Sequence, residues 1–191
     1  SYDQVMLGDP KQELAHNIAY GKPVGATAIY SSQYAATGAV DGRVNEEWSA
    51  TNPAAYWLLP NNTLGSLIVD LEGEFLIDRI DLQNTHNGGS RDRGTKEFQL
   101  LVSLDGLTWT PVVDDLLSFY DSATSALLNT PLESFEFTEV WARYVKFQVD
   151  GYYGVGGGLA ELRVFEAVPE PASLTLLLLA ATGVGGYLRR R

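Results

Sequence analysis

In Ala142–Gly151, ARYVKFQVDG, the residues Val145, Phe147 and Val149 alternate with Tyr144, Lys146 and Gln148. A period of two separates a core face from a wet face only in a strand, because successive Cβ atoms then point to opposite sides. Short runs with apolar alternation recur at Ser66–Gly73 (SLIVDLEG) and Phe75–Asn84 (FLIDRIDLQN), and Leu159–Ala167 (LAELRVFEA) reads as a last strand. In EFQLLVSLDGLTWTPVV, Asp105-Gly106 stands between two strand-like segments and is a strong hairpin signal. Long helical periodicity is missing before the final residues. Short antiparallel strands separated by turn signals predict an all-β chain folded as an antiparallel β-sandwich or jelly roll.

The chain has 191 residues, enough for one domain of ordinary size and a short appendage. Its formal net charge of -11 disfavours nucleic acid and anionic lipid, which need clustered Lys and Arg to neutralise phosphates. Positive ions and neutral ligands suit it better. With no cysteine, the chain can form no disulfide, thiolate zinc site or cysteine nucleophile. Stability must come from the core alone, or from the core and a bound ion. His16 and His86 lie far apart and show no metal-ligand spacing. The sequence starts at Ser1, a beginning compatible both with a cleaved signal peptide and with a fragment.

At Val168 the composition changes sharply to VPEPASLTLLLLAATGVGGYLRRR. From Pro171 to Leu188 there is no charge, and the run is bounded by Glu170 and by Arg189, Arg190 and Arg191. An apolar stretch of about 17–20 residues is just long enough to cross a bilayer as a helix. The terminal arginines place the body outside the cytoplasm by the positive-inside rule. This segment resembles the PEP-CTERM sorting signal: Pro169, Glu170 and Pro171, then an apolar helix, then a basic end. The resemblance implies an exported protein of a Gram-negative bacterium, anchored transiently in the inner membrane. It implies cutting near Pro169–Pro171 by an exosortase-type enzyme, and a setting of exopolysaccharide and biofilm. The expected organisation is a lead segment at 1–16, a β-sandwich at 17–167 and a sorting or transmembrane tail at 168–191.

Within the body, NIAYGKPVGATAIY, AVDGRVNEEWSA, LIVDLEG, RGTKEFQLLVSLDGLTW, ARYVKF and GGLAELRVFE follow one another. In this order they resemble the discoidin domain, also called coagulation factor 5/8 type C, which includes the family-32 carbohydrate-binding modules. The resemblance runs from about Asn17 to Glu166 and implies a galactose-binding-domain-like jelly roll with adjacent ends. It also implies sugar or lipid head-group binding through loops at one end. The disulfide of animal members is absent.

The resemblance further implies a structural calcium ion beside AVDGRVNEEW. Calcium takes six to eight hard oxygens from carboxylates and backbone carbonyls. Asp41 matches one carboxylate ligand, with Gly42 permitting the turn behind it, and Glu161 in LAELRV matches the second. Arg43 and Ser49 match positions that offer backbone carbonyls. Glu46 stands where many relatives carry Thr or Ser. A solvated acidic turn is the plainer reading of the same residues. A catalytic carboxylate pair is disfavoured, because a shared cation keeps both groups ionised and leaves no general acid. No Gly-x-Ser-x-Gly elbow occurs, and no enzyme activity is expected.

The polar loop Gln83–Phe98, QNTHNGGSRDRGTKEF, is the expected sugar-binding segment. Asn84, His86, Asn87, Arg91 and Arg93 offer donors and acceptors to hydroxyl groups. Tyr30, Tyr152 and Tyr153 are the candidate stacking rings, whereas Trp48, Trp57, Trp109 and Trp141 are expected in the core or at its edges. The same polar residues can instead serve the loop itself, His86 and Asn87 capping a turn and Arg93 pairing with Asp92 or Glu97. The function expected is a non-catalytic carbohydrate-binding module of a cell surface or exopolysaccharide matrix. The alternative is a structural or adhesive matrix protein that recognises proteins.

Overall fold

The computed structural model describes residues 16–44, 55–119 and 130–167. Its strands are β1 (Val24–Ala26), β2 (Trp57–Leu58), β3 (Gly65–Gln83), β4 (Arg93–Thr95) and β5 (Glu97–Ser103). They continue with β6 (Thr110–Leu116), β7 (Leu132–Val149), β8 (Tyr152–Gly154), β9 (Gly158–Leu159) and β10 (Glu161–Glu166). The main sheet runs β1-β3-β7-β5-β6, with β10 also on β3, and β2–β9 and β4–β8 form two small ladders. Every pairing is antiparallel.

Two long strands make the layers. Residues 65–70 of β3 lie between β1 and the end of β7, whereas residues 75–83 lie between β10 and the start of β7. SLIVDLEG and FLIDRIDLQN, expected as separate strands, are therefore one strand with a joint, because β7 pairs with both sides of it. At the joint the register shifts between Asp70 and Phe75. Glu72 sits in the left-handed region at φ 61, and its N–H donates to Asp70 Oδ1 at 2.8 Å. The Asp105-Gly106 turn joins β5 to β6 as the sequence predicts, with Gly106 at φ 72.

The alternation read in β7 holds. Val145, Phe147 and Val149 are fully buried and meet Leu67, Val69, Ile77, Ile80 and Leu82 of β3 in one core. Phe98 of β5 stacks on Phe147 at 5.4 Å and meets Phe135 edge-on at 5.1 Å. Each such side chain contributes about 1.5–3 kcal/mol on burial. Trp57 is also buried, its Nε1 donating to the Ala28 carbonyl. Trp109 covers Lys146 Nζ at 3.8 Å. Trp141 corrects the expectation for the tryptophans: its neighbour Ala142 takes the inward position of β7, so Trp141 points out and is 56% exposed. Trp48 lies outside the described residues.

The ends of the body are adjacent, as the resemblance implies. Ile18 N–H donates to the Val164 carbonyl, and Asn17 Oδ1 accepts from Val164 N–H. Residues 1–15 and the whole tail, with Pro169, Glu170 and Pro171, lie outside the described residues, so the expected C-terminal helix is not described. Both ends of β3 reach the same loops: Leu59, against which Gly65 packs, donates to Gly157, and Ala160 donates to Gln83. The segments 84–96 and 150–160 thus gather at one end of the sandwich.

Candidate functional site

Asn84 follows directly on β3 and is completely buried. Its Oδ1 accepts Thr95 N–H at 2.9 Å, and its Nδ2 donates to the carbonyls of Thr95 at 2.7 Å and Ser118 at 3.0 Å. The side-chain amide thereby imitates a strand neighbour for Thr95. Thr95 Oγ1 in turn donates to the Gly158 carbonyl at 2.6 Å and accepts Gly158 N–H, while Thr130 Oγ1 donates to the Asn84 carbonyl. Close approach is required here: a Cβ on Gly94 would stand 2.6 Å from the Thr85 carbonyl oxygen, and Gly154 has φ +64. Asn84 is therefore a strut that ties the loops together. Its polar groups are spent internally, which removes it from the expected ligand contacts.

The next side chains also serve the loop. His86 is 3% exposed, and Nδ1 donates to the Gly88 carbonyl, since a carbonyl can only accept. Asn87, in the left-handed region at φ 64, donates from Nδ2 to Asp92 Oδ1 at 2.7 Å and accepts from Tyr56 Oη. Arg91 is exposed and also left-handed, at φ 51. Two such non-glycine residues within one loop mark a backbone that its surroundings hold in place.

Arg93 is 4% exposed, which the sequence did not suggest for a loop arginine. Its guanidinium donates to the Leu59 carbonyl, to Asn61 Oδ1 at 3.0 Å and to Asp92 Oδ1 at 3.3 Å. It also lies 4.8 Å from the centroid of the Tyr30 ring. Burial pushes the Asp92 carboxyl up, but hydrogen bonds from Asn87 and Arg93 outweigh it and hold the group below its ordinary range. Of the two pairings open in the sequence, Arg93 takes Asp92, while Glu97 pairs with Lys96.

Tyr30 is half-exposed and edge-on to Tyr34 at 5.9 Å, and Tyr34 meets Tyr56 at 5.3 Å. Arg93, Asn87 and Tyr30 are thus brought together, with Arg91 on the same loop. Tyr152 and Tyr153 lie across the β4–β8 ladder, opposite Thr95 and Gly94. Tyr153 is engaged elsewhere, its ring stacked on Phe119 at 4.5 Å and its hydroxyl donating to the Leu117 carbonyl. The residues that sequence reasoning missed are Asn61, Tyr34 and Tyr56; the polar turn PNNT and the spacing of Tyr34 from Tyr30 were the available signals. The result is an aromatic ring braced by a buried cation, with an amide and a partly exposed carboxylate bonded to that cation and an exposed arginine on the same loop. Such a set offers donors and acceptors beside an apolar face.

A second polar centre lies where the turn after Val40 meets β10. Glu161 is fully buried, its Oε2 accepting Gly42 N–H at 3.2 Å and its Oε1 facing Arg163 Nε at 3.3 Å. Burial, reinforced by the charge of Asp41, pushes its carboxyl up to about 8 against the opposing pull of Arg163 and Gly42. Asp41 accepts from Arg43, through the backbone N–H at 2.9 Å and through the guanidinium at 2.8 and 2.5 Å. Gly42 makes this turn with φ 80. Glu46 and Ser49 lie outside the described residues, and among those described no three acidic, histidine or cysteine side chains converge. A buried carboxylate whose one guanidinium contact is long, beside a turn that carries a second carboxylate, offers oxygens of the kind a hard divalent cation takes.

The F5/8 type C domain signature matches residues 23–162, which include both centres. The chain belongs to the F5/8 type C domain family. A PEP-CTERM protein-sorting motif follows at residues 167–191 and marks this F5/8 type C protein for export and surface association. Among solved structures, it is similar to chitosan-binding module 1 of a chitosanase/glucanase from Paenibacillus sp. IK-5, with 22% identity and a TM-score of 0.57 over 78% of this chain and 98% of that one. It is similar to the lectin domain of lectinolysin, solved with Lewis B antigen, at 24% identity and TM-score 0.59 over 80% and 97% of the two chains. A fucose-binding module of Streptococcus pneumoniae matches at 20% identity and TM-score 0.58, over 79% and 95%. No curated protein matches the sequence significantly. These likenesses establish the fold, a galactose-binding-like β-sandwich.

Proposed function

We propose that this F5/8 type C protein is an exported, non-catalytic carbohydrate-binding module whose ligand sits against Tyr30 at the loop end. The observation that carries the reading is the half-exposed Tyr30 ring over the buried Arg93 guanidinium, with Asn61 and Asp92 bonded to that guanidinium and Arg91 exposed on the same loop. An aromatic face covers the apolar side of a sugar ring, and polar groups meet its hydroxyls. The ring needs no rearrangement, because Arg93 and Asp92 are already fixed by each other and by Leu59, Asn61 and Asn87. The similar binding modules named above give this reading further support. In the same proposal, the tail is cut by an exosortase-type enzyme after transient anchoring in the inner membrane of a Gram-negative cell, which releases the module to the surface or the exopolysaccharide.

The centre at Asp41 and Glu161 binds calcium in this reading, with backbone oxygen from Arg43 and Ser49 and side-chain oxygen from Glu46. Arg43 is partly exposed, and its guanidinium would give up Asp41 Oδ2 when a cation arrives. The ion would clip the early turn to the last strand and take up the charge of Glu161, a structural role and not a chemical one. A glycan array probed with the full chain tests the function: saturable binding to one class of neutral or amino sugar is the expected result. One observation favours the second reading, an adhesive matrix protein. Leu107 at the β5–β6 hairpin tip is 84% exposed and Leu104 is 48% exposed. Self-association in sedimentation experiments, with an empty array, would support it.

A further inference from the structure

Gln83 and Glu161 are direct cross-strand partners where β3 and β10 meet. Their side chains therefore rise from the same face of the sheet. It is the face away from the core, since Leu82 and Leu162, one step along, are fully buried within the core. Gln83 Nε2 donates to the Thr130 carbonyl at 2.8 Å, which orients the amide. Among the described residues its Oε1 has no hydrogen-bond partner, although the residue is only 4% exposed. An orphan oxygen at such depth is rare in a native fold and asks for a missing partner.

The partner must be electropositive and must lie on the face that carries Glu161. Calcium ligand sets mix carboxylates with neutral carbonyl oxygens, including those of glutamine. The second carboxylate, Asp41, sits beside Gly42, whose N–H donates to Glu161 Oε2 at 3.2 Å. We propose that Gln83 Oε1 is a further oxygen ligand of the calcium ion that joins the Asp41 turn to Glu161. The proposal rests on the calcium reading given above and adds to it a neutral ligand from β3. It also makes the clip three-way, because β3 then shares the ion with the early turn and the last strand.

Calorimetric titration of the full chain with calcium chloride, together with melting in chelator, tests this with wild type, Gln83→Met, Gln83→Glu and Glu161→Gln. Methionine keeps the length of the side chain but offers a soft sulfur in place of a hard oxygen. Gln83→Met is expected to weaken calcium binding by at least about tenfold while melting in chelator near wild type, because removing the orphan oxygen offsets the hydrogen bond lost to the Thr130 carbonyl. Gln83→Glu is expected to bind calcium more tightly than wild type. If Glu161→Gln abolishes binding and Gln83→Met leaves it unchanged, the Gln83 assignment is overturned and the calcium site stands. If wild type binds no calcium, both fall. A Gln83→Met protein that melts well below wild type in chelator hands the decision to Gln83→Glu: tighter binding supports the proposal, and equal or weaker binding overturns it.

Discussion

The loop end holds two buried polar centres that differ in completeness. Around Asn84, Thr95 and Gly158 the side-chain donors and acceptors meet one another, and the network closes on the protein itself. Around Glu161 they do not: the carboxyl is pushed up to about 8, and the neighbouring Gln83 has an orphan oxygen. The first centre can hold a binding face rigid without any ligand. The second, in the proposed reading, is completed by a bound ion. In the proposed reading, sugar recognition and ion binding are thus separable, although Gln83 ends β3 and Asn84 follows it directly.

That contrast can be broken most severely at Asn84. Asn84→Ala leaves the Thr95 N–H and carbonyl buried without their partners, which should cost about 4 kcal/mol, given roughly 1–3 kcal/mol for each unsatisfied group. Urea denaturation should report the same loss with calcium and with chelator. A loss that calcium rescues would merge the two centres.

The next largest effect is expected at Glu161. Saturating calcium, at about one hundred times its Kd, should stabilise wild type by about 2.7 kcal/mol, and Glu161→Gln should remove that gain. In chelator the variant should be at least as stable as wild type, because it deletes a buried carboxyl that burial disfavours as an ion. Thermal melts of both proteins in both conditions check this.

The smallest effect sharpens the contrast through a carboxylate of the opposite kind. Asp105 accepts from the N–H groups of Leu107 and Thr108 and from Ser103 Oγ, and it is pulled down to about 2. A carboxyl lowered on folding contributes stability that is present above the ordinary value of 3.8 and lost as pH falls toward 2. Asp105→Ala should therefore melt slightly below wild type at pH 7, with the gap closing in acid. Because Asp105 is exposed, the gap should be modest and salt-sensitive.

The sandwich was legible in the sequence because strand alternation and the Asp-Gly turn are local signals. Val145, Phe147 and Val149 announce their face without reference to anything else. The joint in β3 was not legible, since whether Leu71–Glu74 separates two strands or bends one depends on β7, far along the chain. The site was read in part for the same reason. Tyr30 and the 84–93 loop stand out by residue type, but that Arg93 is buried depends on Leu59 and Asn61, and that Asn84 is a strut depends on Thr95 and Ser118. Composition marks a polar loop without telling which groups are already spent. Glu161 was visible only through the family pattern, and Gln83 not at all, because its significance arises from register with β10.

The central claim is that sugar binds at the Tyr30 face, and NMR titration of isotope-labelled protein with the leading glycan tests it most directly. Shift changes should cluster at Tyr30, Asn61, Arg91 and Asp92, persist in chelator, and vanish in Tyr30→Ala. Changes centred elsewhere, or a Tyr30→Ala protein that binds as wild type does, would contradict the account.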